Sequence, residues 1–265
     1  MIKSHQNVEP IKSLDFRLAS STSEIIECQK LRYQIFAEEC GANIFSNGEN
    51  IDKDKFDDIC EHLYVRDVNT NQIVAYTRIL DSEVALNNFG FYSQTEFIMS
   101  DVLNLPGKKL EIGRTCVHSE YRSGSAIITL WLGLVNIMNQ RNYEYLFGCA
   151  SIPLDKDIAN IRNIYKCSEK NSLVEPHINV FPINVLPEIN LRDDLLNVNI
   201  KKFLPPLLKA YLNLGGKICG KPALDKDFNV ADLFILLKKS NIQQRYIRKF
   251  KLKTNSIPKV NSKIF

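Results

Sequence analysis

The clearest indication of the fold lies between Leu110 and Ala150, which read LEIGRTCVHSEYRSGSAIITLWLGLVNIMNQRNYEYLFGCA. Residues 110–117 and 143–150 are short segments rich in apolar and aromatic side chains, which is typical of strands. Residues 126–138 are apolar almost all round, as expected of a buried helix. A strand, a buried helix and a second strand in this order predict a mixed α/β domain.

Shorter elements are predicted on both sides of this stretch. Ser21 and Glu24 form a capping box, which predicts a helix from there to about Phe36. The polar residues 67–72 separate two β-rich segments, which predicts a hairpin. The predicted strands are Leu14–Ala19, His62–Arg66, Ile73–Leu80, Leu110–Val117, Tyr143–Ala150, Lys217–Leu224 and Ala231–Leu237, and the further predicted helices are Asp155–Lys166 and Leu204–Leu214.

Composition and charge divide the chain into two parts. With 45% hydrophobic and 24% charged residues among 265, collagen-like, low-complexity and wholly disordered classes are excluded. We predict one domain over residues 1–237, with a long, proline-containing irregular insertion at about 167–201 that suits a lid or channel wall. Residues 238–265 form a tail that holds nine of the 34 Lys and Arg residues and no acidic residue.

The basic tail predicts an amphipathic helix at Ile242–Lys253. Such a helix fits an acidic protein or an anionic membrane surface, although charged segments are often only solvated. No motif for nucleic-acid binding accompanies it, so we predict no nucleic-acid partner. The chain lacks a transmembrane run and a secretory signal, which favours the cytoplasm, with the tail offering peripheral contact with the inner membrane.

The cysteines and histidines give no metal pattern. Seven cysteines are scattered without any CxxC, and their odd number argues against a disulfide framework. The four histidines are far apart, so we predict no metal site. His62 is interpreted as a hydrogen-bonded strand residue and Trp131 as a core residue.

Charged residues within apolar patterns mark the candidate site. They are Arg32 in LRYQIF, the acidic run IDKDKFDD, Arg78 in AYTRIL, and the pair Glu111 and Arg114 in LEIGRTCV. Side chains alternate along a strand, so Glu111 and Arg114 point to opposite sides unless a bulge intervenes. The alternative is that these residues form ordinary surface ion pairs.

These segments resemble the bacterial ornithine acyl-ACP N-acyltransferases, which make lyso-ornithine lipid. The resemblance extends from about Phe16 to Phe250 and is carried by LRYQIF, DKFDD, RIL, EIGR, LW, GCAS and LPPLLKAYLNLGG followed by DKDF. It implies the GCN5-related N-acyltransferase fold, an α/β (α+β) domain with a mixed central sheet flanked by helices, here with a C-terminal basic helix. It also implies acyl carrier protein and L-ornithine as partners, and no cofactor beyond the carrier's phosphopantetheine as part of a substrate.

A smaller set of residues also resembles the acyl-homoserine-lactone synthases, which use acyl-ACP and S-adenosylmethionine. The set is Arg32, Phe36, Asp54, Asp57, Arg78, Glu111 and Arg114. The tryptophan that those synthases carry after the first helix is missing between Phe36 and Asp52. A lactone-synthase-like enzyme is therefore the alternative, and a carrier-protein or membrane-binding module with an inactive site is a third hypothesis.

Amide formation requires a base, an anchor for the amino acid and donors for the oxyanion. Glu111 is the candidate base, directly or through water. The alternative is that Glu111 has a structural role, in an ion pair with Arg114. Arg78 or Arg114 is the candidate fork for the α-carboxylate. Asp54 or Asp57 is an alternative receptor for the δ-ammonium group, and the resemblance adds Arg32 and Phe36 to the substrate-binding residues.

The thioester is expected near the C-terminal end of the predicted strand Leu110–Val117. Backbone N–H groups near Cys116 and Val117 are candidate oxyanion donors if the strand splays from its neighbour. Arg122, Gly124 and Ser125 lie where this fold usually binds the coenzyme A pyrophosphate at a helix N-terminus. The spacing from Arg122 is one residue short of that pattern, and the single phosphate of phosphopantetheine fits such a loop.

Overall fold

The computed structural model describes residues 13–44, 48–154, 158–170, 173–187 and 204–242. Its ten strands are β1 (Leu14–Leu18), β2 (Glu61–Asp67), β3 (Ile73–Asp81), β4 (Phe97–Ile98), β5 (Lys108–Val117), β6 (Tyr143–Pro153), β7 (Phe181–Pro182), β8 (Lys217–Ile218), β9 (Ala223–Asp225) and β10 (Val230–Lys238). Its six α-helices are α1 (Thr22–Tyr33), α2 (Ser82–Leu86), α3 (Ser100–Leu103), α4 (Ser125–Gln140), α5 (Ile158–Lys170) and α6 (Pro206–Leu214).

Eight strands form one mixed sheet in the order β1-β2-β3-β5-β6-β10-β8, with β9 also paired to β10. The β5–β6 pair is parallel, and the other pairs of this sheet are antiparallel. The remaining strands, β4 and β7, form a small antiparallel sheet of their own. Because α4 connects the two parallel strands, the predicted strand, buried helix and strand between residues 110 and 150 are confirmed.

The first helix begins as the sequence predicts. The Ser21 side chain accepts a hydrogen bond from the Glu24 amide, and the Glu24 carboxylate accepts one from the Ser20 amide at 2.8 Å. The helix is α-helical to Tyr33 and then widens into a π-helical turn at Gln34–Glu39. Single π-turns inside helices are frequent at functional sites. Phe36 lies in this turn, so its position differs from that in a regular helix.

Two apolar layers enclose the sheet. On one face, α4 and α6 pack against the strands, and Leu130, Leu134 and Met138 of α4 are buried there. Trp131 is 3% exposed, which confirms its predicted place in the core. On the other face, α1 covers one half of the sheet, and the segment that contains β4 covers the other. None of the described helices is long and apolar enough to cross a membrane.

Two predictions in the second half need correction. The strand predicted at Lys217–Leu224 is two short strands, because Gly220 adopts a positive φ of 72° and its α-carbon lies against the Val180 carbonyl. The irregular insertion begins later than position 167, since α5 continues to Lys170. Most of the predicted tail, from position 243 onward, and residues 188–203 lie outside the described residues, so these predictions stay predictions.

Candidate active site

A β-bulge in β5 determines how the predicted catalytic residues meet. The pairing of β3 with β5 shifts register between Tyr76 and Arg78, and Arg114 opposite this shift has a positive φ of 52°. The bulge turns the Arg114 side chain to the side of the sheet that carries Glu111. Both side chains contact Tyr92: Glu111 accepts its amide hydrogen bond, and the Arg114 guanidinium lies 5.2 Å from its ring centre.

Glu111 is buried at 3% exposure. Its two carboxylate oxygens accept hydrogen bonds from the backbone amides of Tyr92 at 2.8 Å and Ser93 at 2.7 Å. Burial raises the pKa of Glu111, while these hydrogen bonds and the charge of Arg78 act in the opposite direction. Among the described residues, Arg114 forms ion pairs with Asp52 and Asp54 and none with Glu111.

Arg78 and Arg114, called here the arginine pair, share the carboxylate of Asp54. The Asp54 oxygens lie 2.6 Å from Arg78 Nη1 and 3.1 Å from Arg114 Nη2. Although burial opposes the effect, the two arginines lower the pKa of Asp54. Arg78 Nη2 and Arg114 Nε are buried and have no hydrogen-bond partner in the described part of the chain. Arg78 therefore retains an N–H donor for an incoming acceptor, whereas Arg114 Nε already lies 3.3 Å from Asp52 Oδ2.

Arg32 lies in a buried network that adjoins the arginine pair, since Asp52 also pairs with Arg114 and Asp57 with Arg78. Its guanidinium donates to Asp52 at 2.9 Å and to both oxygens of Asp57, and the arginine is 0% exposed. The Tyr76 hydroxyl lies beside it and contacts His62 Nδ1 at 2.7 Å. Burial lowers the pKa of His62, and its hydrogen bonds within the strand confirm the interpretation given above. Arg32 and Asp57 thus contact other side chains of the protein, which favours a positioning role.

The strands β5 and β6 separate beside Glu111. Their pairing ends at Glu111 and Phe147, although both strands continue, so the splay expected at this point is present. Cys116 and Val117 lie on β5 beyond the separation. The Cys116 thiol is buried and burial raises its pKa, which disfavours it as a nucleophile.

A tyrosine that sequence reasoning did not single out lies on the opposite face of this opening. Tyr211 of α6 is 0% exposed, and its hydroxyl has no hydrogen-bond partner among the described atoms. A Cβ added at Gly148 of β6 would lie 3.2 Å from that hydroxyl, so glycine leaves the hydroxyl close to the strand. The Tyr211 ring packs edge-on against Trp131 at 4.7 Å. Within LPPLLKAYLNLGG the tyrosine has the spacing of an ordinary core residue, which gave no signal of function.

The loop before α4 carries the predicted phosphate-binding residues. Gly124 has a positive φ of 108° and precedes Ser125, the first residue of the helix. The Arg122 side chain donates to the Val117 carbonyl at 3.0 Å and pairs with Glu39. The helix N-terminus therefore lies at the end of β5 beyond the strand separation, where exposed amides favour an anion.

Three carboxylates, called here the acidic trio, meet in a place that sequence reasoning missed. Glu96, Asp225 and Asp232 have carboxylate oxygens within 4.8 Å of one another, a set that could also ligate a divalent cation. Asp232 accepts from the Ser151 hydroxyl at 2.6 Å. Burial, together with the neighbouring carboxylates, raises the pKa of Glu96 to about 7 and that of Asp232 to about 6.

An aromatic contact connects the trio to the arginine pair. Phe228 donates its amide hydrogen to Asp225 at 3.1 Å, and its ring lies 4.4 Å from the Arg114 guanidinium carbon. Phe36 packs edge-on against the same ring at 5.8 Å. Phe36 is therefore near the site, as predicted, but it contacts Phe228 from the π-helical turn.

Comparisons with known proteins agree with this architecture. The family model described as an acetyltransferase (GNAT) domain matches residues 31–132. Among solved structures, the AHL synthase LasI superposes with a TM-score of 0.51 at 11% identity, covering 90% of this chain and 96% of that one. FeeM, an N-acyl amino acid synthase from uncultured soil microbes, gives 0.51 at 10% identity, covering 89% and 99%. At these identities the likeness concerns the fold alone, and it confirms the predicted fold class.

Curated relatives are much more similar in sequence. An L-ornithine N(alpha)-acyltransferase of Agrobacterium fabrum is 34% identical over 256 residues, which cover 89% of this chain and 85% of the relative. The Brucella abortus protein of the same name is 33% identical, covering 92% and 91%. The protein is therefore an acyltransferase of the GNAT fold, and the chain belongs to the family of L-ornithine N(alpha)-acyltransferases.

Proposed function

We propose that the protein transfers a long-chain (3-hydroxy)acyl group from acyl carrier protein to the α-amine of L-ornithine, giving lyso-ornithine lipid. The name of the curated relatives supports the amino acid and the amine. One observation carries the proposal: Glu111, a buried carboxylate, lies beside an arginine pair in which Arg78 retains an unused N–H donor, at the point where β5 and β6 separate.

The amino acid is anchored by its carboxylate. Arg78 Nη2 is a donor that the protein itself leaves unused, and a carboxylate is the acceptor that guanidinium groups bind best. Asp54 holds both guanidinium groups by their other nitrogens, so their positions are fixed before substrate binds. Arg32 holds the acidic run in position through its hydrogen bonds to Asp52 and Asp57. Asp54 and Asp57 are thereby occupied, and we no longer favour them as receptors of the δ-ammonium group.

Glu111 is the general base of the proposed reaction. The ammonium form of the α-amine loses a proton to the Glu111 carboxylate, directly or through a water, and the free amine attacks the thioester carbonyl carbon. Burial raises the pKa of this carboxyl, which makes it a better proton acceptor. Glu111 then passes this proton to water. A new C–N bond forms, and the excess proton that remains on its nitrogen leaves through the regenerated Glu111 carboxylate. The amides of Tyr92 and Ser93 hold the carboxylate in one orientation during these transfers.

The leaving thiolate needs a proton when the C–S bond breaks. The Tyr211 hydroxyl is a buried donor without an acceptor at the same strand separation, and we assign it this role. Backbone N–H groups at Cys116 and Val117 stabilise the oxyanion of the tetrahedral intermediate. The phosphate of the phosphopantetheine arm binds at the loop formed by Arg122, Gly124 and Ser125.

The carrier protein and the membrane are the proposed macromolecular partners. Acyl carrier proteins are acidic, and the basic residues of the 238–265 tail give a complementary charge. An acylated product also belongs in a bilayer, whose anionic surface attracts the same tail. Deleting the residues after position 242 should weaken binding to acyl-ACP or to anionic vesicles in a salt-dependent manner. Binding that is unchanged by the deletion, or insensitive to salt, contradicts this role.

Thiol release from acyl-ACP tests the proposed function. Purified protein is mixed with acyl-ACP and, separately, with ornithine, lysine, glycine, glutamine or S-adenosylmethionine. Release with ornithine at a rate well above the other amino acids supports the proposal. Release with S-adenosylmethionine alone assigns the lactone-synthase reaction, and release with none of them supports a binding module with an inactive site.

A further inference from the structure

The acidic trio has no ion-pair partner among the described residues, although the charge of Arg114 acts on Glu96 and Asp232 and the amides of Asp227 and Phe228 donate to Asp225. Asp232 is 3% exposed and Asp225 is 6% exposed, and no ion pair to Lys or Arg involves Glu96, Asp225 or Asp232 among the described residues. Buried carboxylates are costly unless a cation or several donors accompany them. The three carboxylates therefore supply the negative charge that a cation-binding site needs.

An independent observation indicates a ligand in the same compartment. The Arg78 side chain is 3% exposed, and its Nη2 has no acceptor among the described residues. An unpaired buried donor is as costly as an unpaired acceptor, so this N–H group is expected to meet a ligand atom. The Arg78 guanidinium carbon lies 5.4 Å from the centre of the Tyr92 ring, and that of Arg114 lies 5.2 Å from it.

Tyr92 lies between the two charged groups. Burial is the main cause that raises the pKa of its hydroxyl, and the charges of Asp232 and Asp225 raise it further while Arg114 lowers it. The hydroxyl is therefore within electrostatic range of both the arginine pair and the trio. Phe228 provides the second connection, because its amide holds Asp225 and its ring supports Arg114.

The surroundings of Tyr92 thus have a cationic end, where Arg78 retains an unused N–H donor, and an anionic end, where three carboxylates have no ion-pair partner in the described part of the chain. A ligand of opposite polarity has a carboxylate at one end and a separate ammonium group at the other. A diamino acid has this distribution of charge, whereas an amino acid with a neutral side chain leaves the anionic end unsatisfied.

We infer that Glu96, Asp225 and Asp232 bind the side-chain ammonium group of the diamino acid substrate and select it over amino acids with neutral side chains. This inference rests on the proposed function, since it names a subsite for the acyl acceptor. The acidic trio replaces Asp54 and Asp57 as the receptor of the side-chain ammonium group, because both of those carboxylates are paired with arginines. Asp232 is the central member, with Ser151 holding one of its oxygens.

The test compares L-ornithine with L-norvaline, which has the same carbon chain without the δ-amine. With acyl-ACP as donor, kcat/KM is measured for the wild type, Asp232→Asn and Glu96→Gln. Loss of a charged hydrogen bond is expected to lower kcat/KM for ornithine about 10- to 100-fold, while the value for norvaline stays within about 3-fold of that of the wild type. Glu83→Gln removes an exposed carboxylate that pairs with Lys108 and serves as the control, with unchanged preference.

An equal fall for both amino acids overturns the inference, and so does an ornithine preference that survives both substitutions. A divalent ion is the other possible occupant. If chelation by EDTA abolishes wild-type turnover and Mg²⁺ or Ca²⁺ restores it, the trio binds that ion and the inference is wrong.

Binding of 1,4-diaminobutane separates this inference from the proposed function. Calorimetric titration of this diamine requires no acyl transfer, so its result stands even if ornithine is not acylated. Binding to the wild type with at least 10-fold weaker binding to Asp232→Asn supports the trio as an alkylammonium site. Equal binding, or none to the wild type, overturns it whatever the turnover assay shows.

Discussion

Glu111 and Arg114 contact opposite parts of one residue, Tyr92: the carboxylate accepts the Tyr92 amide hydrogen at 2.8 Å, and the guanidinium lies over the Tyr92 ring. Strand alternation alone would have separated Glu111 from Arg114. The bulge that joins them requires a left-handed backbone at Arg114, which is unfavourable for a side chain with a Cβ. This strained backbone lies beside the residues to which we assign catalysis.

Glu111→Gln is predicted to lower kcat about 100- to 10,000-fold, because the amide cannot accept the proton of the amine. The glutamine keeps an acceptor for at least one of the two backbone amides, so circular dichroism should show a folded protein. The pH profile of kcat/KM should lose the dependence of its acidic limb on this carboxyl. Wild-type turnover in this variant would exclude Glu111 as the base.

Arg114→Ala and Arg114→Gly are predicted to abolish most turnover equally, since both remove the guanidinium. They should differ in stability, because glycine adopts the positive φ at this position without strain. We expect the glycine variant to be more stable than the alanine variant by about 1 kcal/mol in urea denaturation. Equal stabilities would indicate that the backbone at this position relaxes once the side chain is gone.

Tyr211→Phe is predicted to preserve the packing against Trp131 and to leave the free energy of unfolding within about 1 kcal/mol of that of the wild type, because the lost hydroxyl has no partner in the described structure. Turnover should nevertheless fall about 10- to 100-fold if the hydroxyl protonates the leaving thiolate. An active variant with unchanged kcat would assign Tyr211 to the core alone.

Arg32→Met is predicted to lower the free energy of unfolding by about 3–5 kcal/mol, because it removes the buried cation that Asp52 and Asp57 share and leaves them only their longer contacts with Arg114 and Arg78. The exposed pair of Arg17 with Asp15 provides the control, and Arg17→Met should change stability by no more than about 0.5 kcal/mol. Urea denaturation of both variants measures the difference. Similar small effects for both would show that the network is not required for folding.

Asp232 predicts a pH dependence of stability in the protein without substrate. Its pKa is raised by burial from 3.8 to about 6, so the folded state disfavours the charged form. The resulting destabilisation is present above pH 6 and is relieved as the pH falls through 6 toward 4. Asp232→Asn should therefore be more stable than the wild type at pH 7.5, by up to about 3 kcal/mol, with the difference shrinking toward pH 4. A stability difference that does not change with pH would contradict the raised pKa of the Asp232 carboxyl.

The sequence predicted the parts of the fold that depend on local pattern. The capping box at Ser21 and the apolar run of α4 are local signals, and both elements form where they were expected. The arginines at positions 32, 78 and 114 were identifiable because charges are unusual within apolar strands and helices. Their contacts with the carboxylates of the acidic run were not predicted, because these contacts depend on how α1, β3 and β5 pack around that run.

The remaining features depend on contacts between distant segments. Glu96 and Asp232 are ordinary loop and strand acids by their neighbours in sequence, and only the packing of the β4 segment against β10 brings them together. Position 114 holds no turn-forming residue, so the sequence did not predict the bulge there, although Gly113 precedes it. Likewise, nothing in the apolar spacing of α6 distinguishes the unpaired hydroxyl of Tyr211 from a packed one.

The most direct test of the account is a single-turnover reaction of acyl-ACP with L-ornithine, followed by mass spectrometry of the product. The account predicts one amide on the α-nitrogen, a free δ-amine and one carrier thiol released per product, all lost together in Glu111→Gln. Acylation at the δ-nitrogen, or product formation that does not require Glu111, would contradict it.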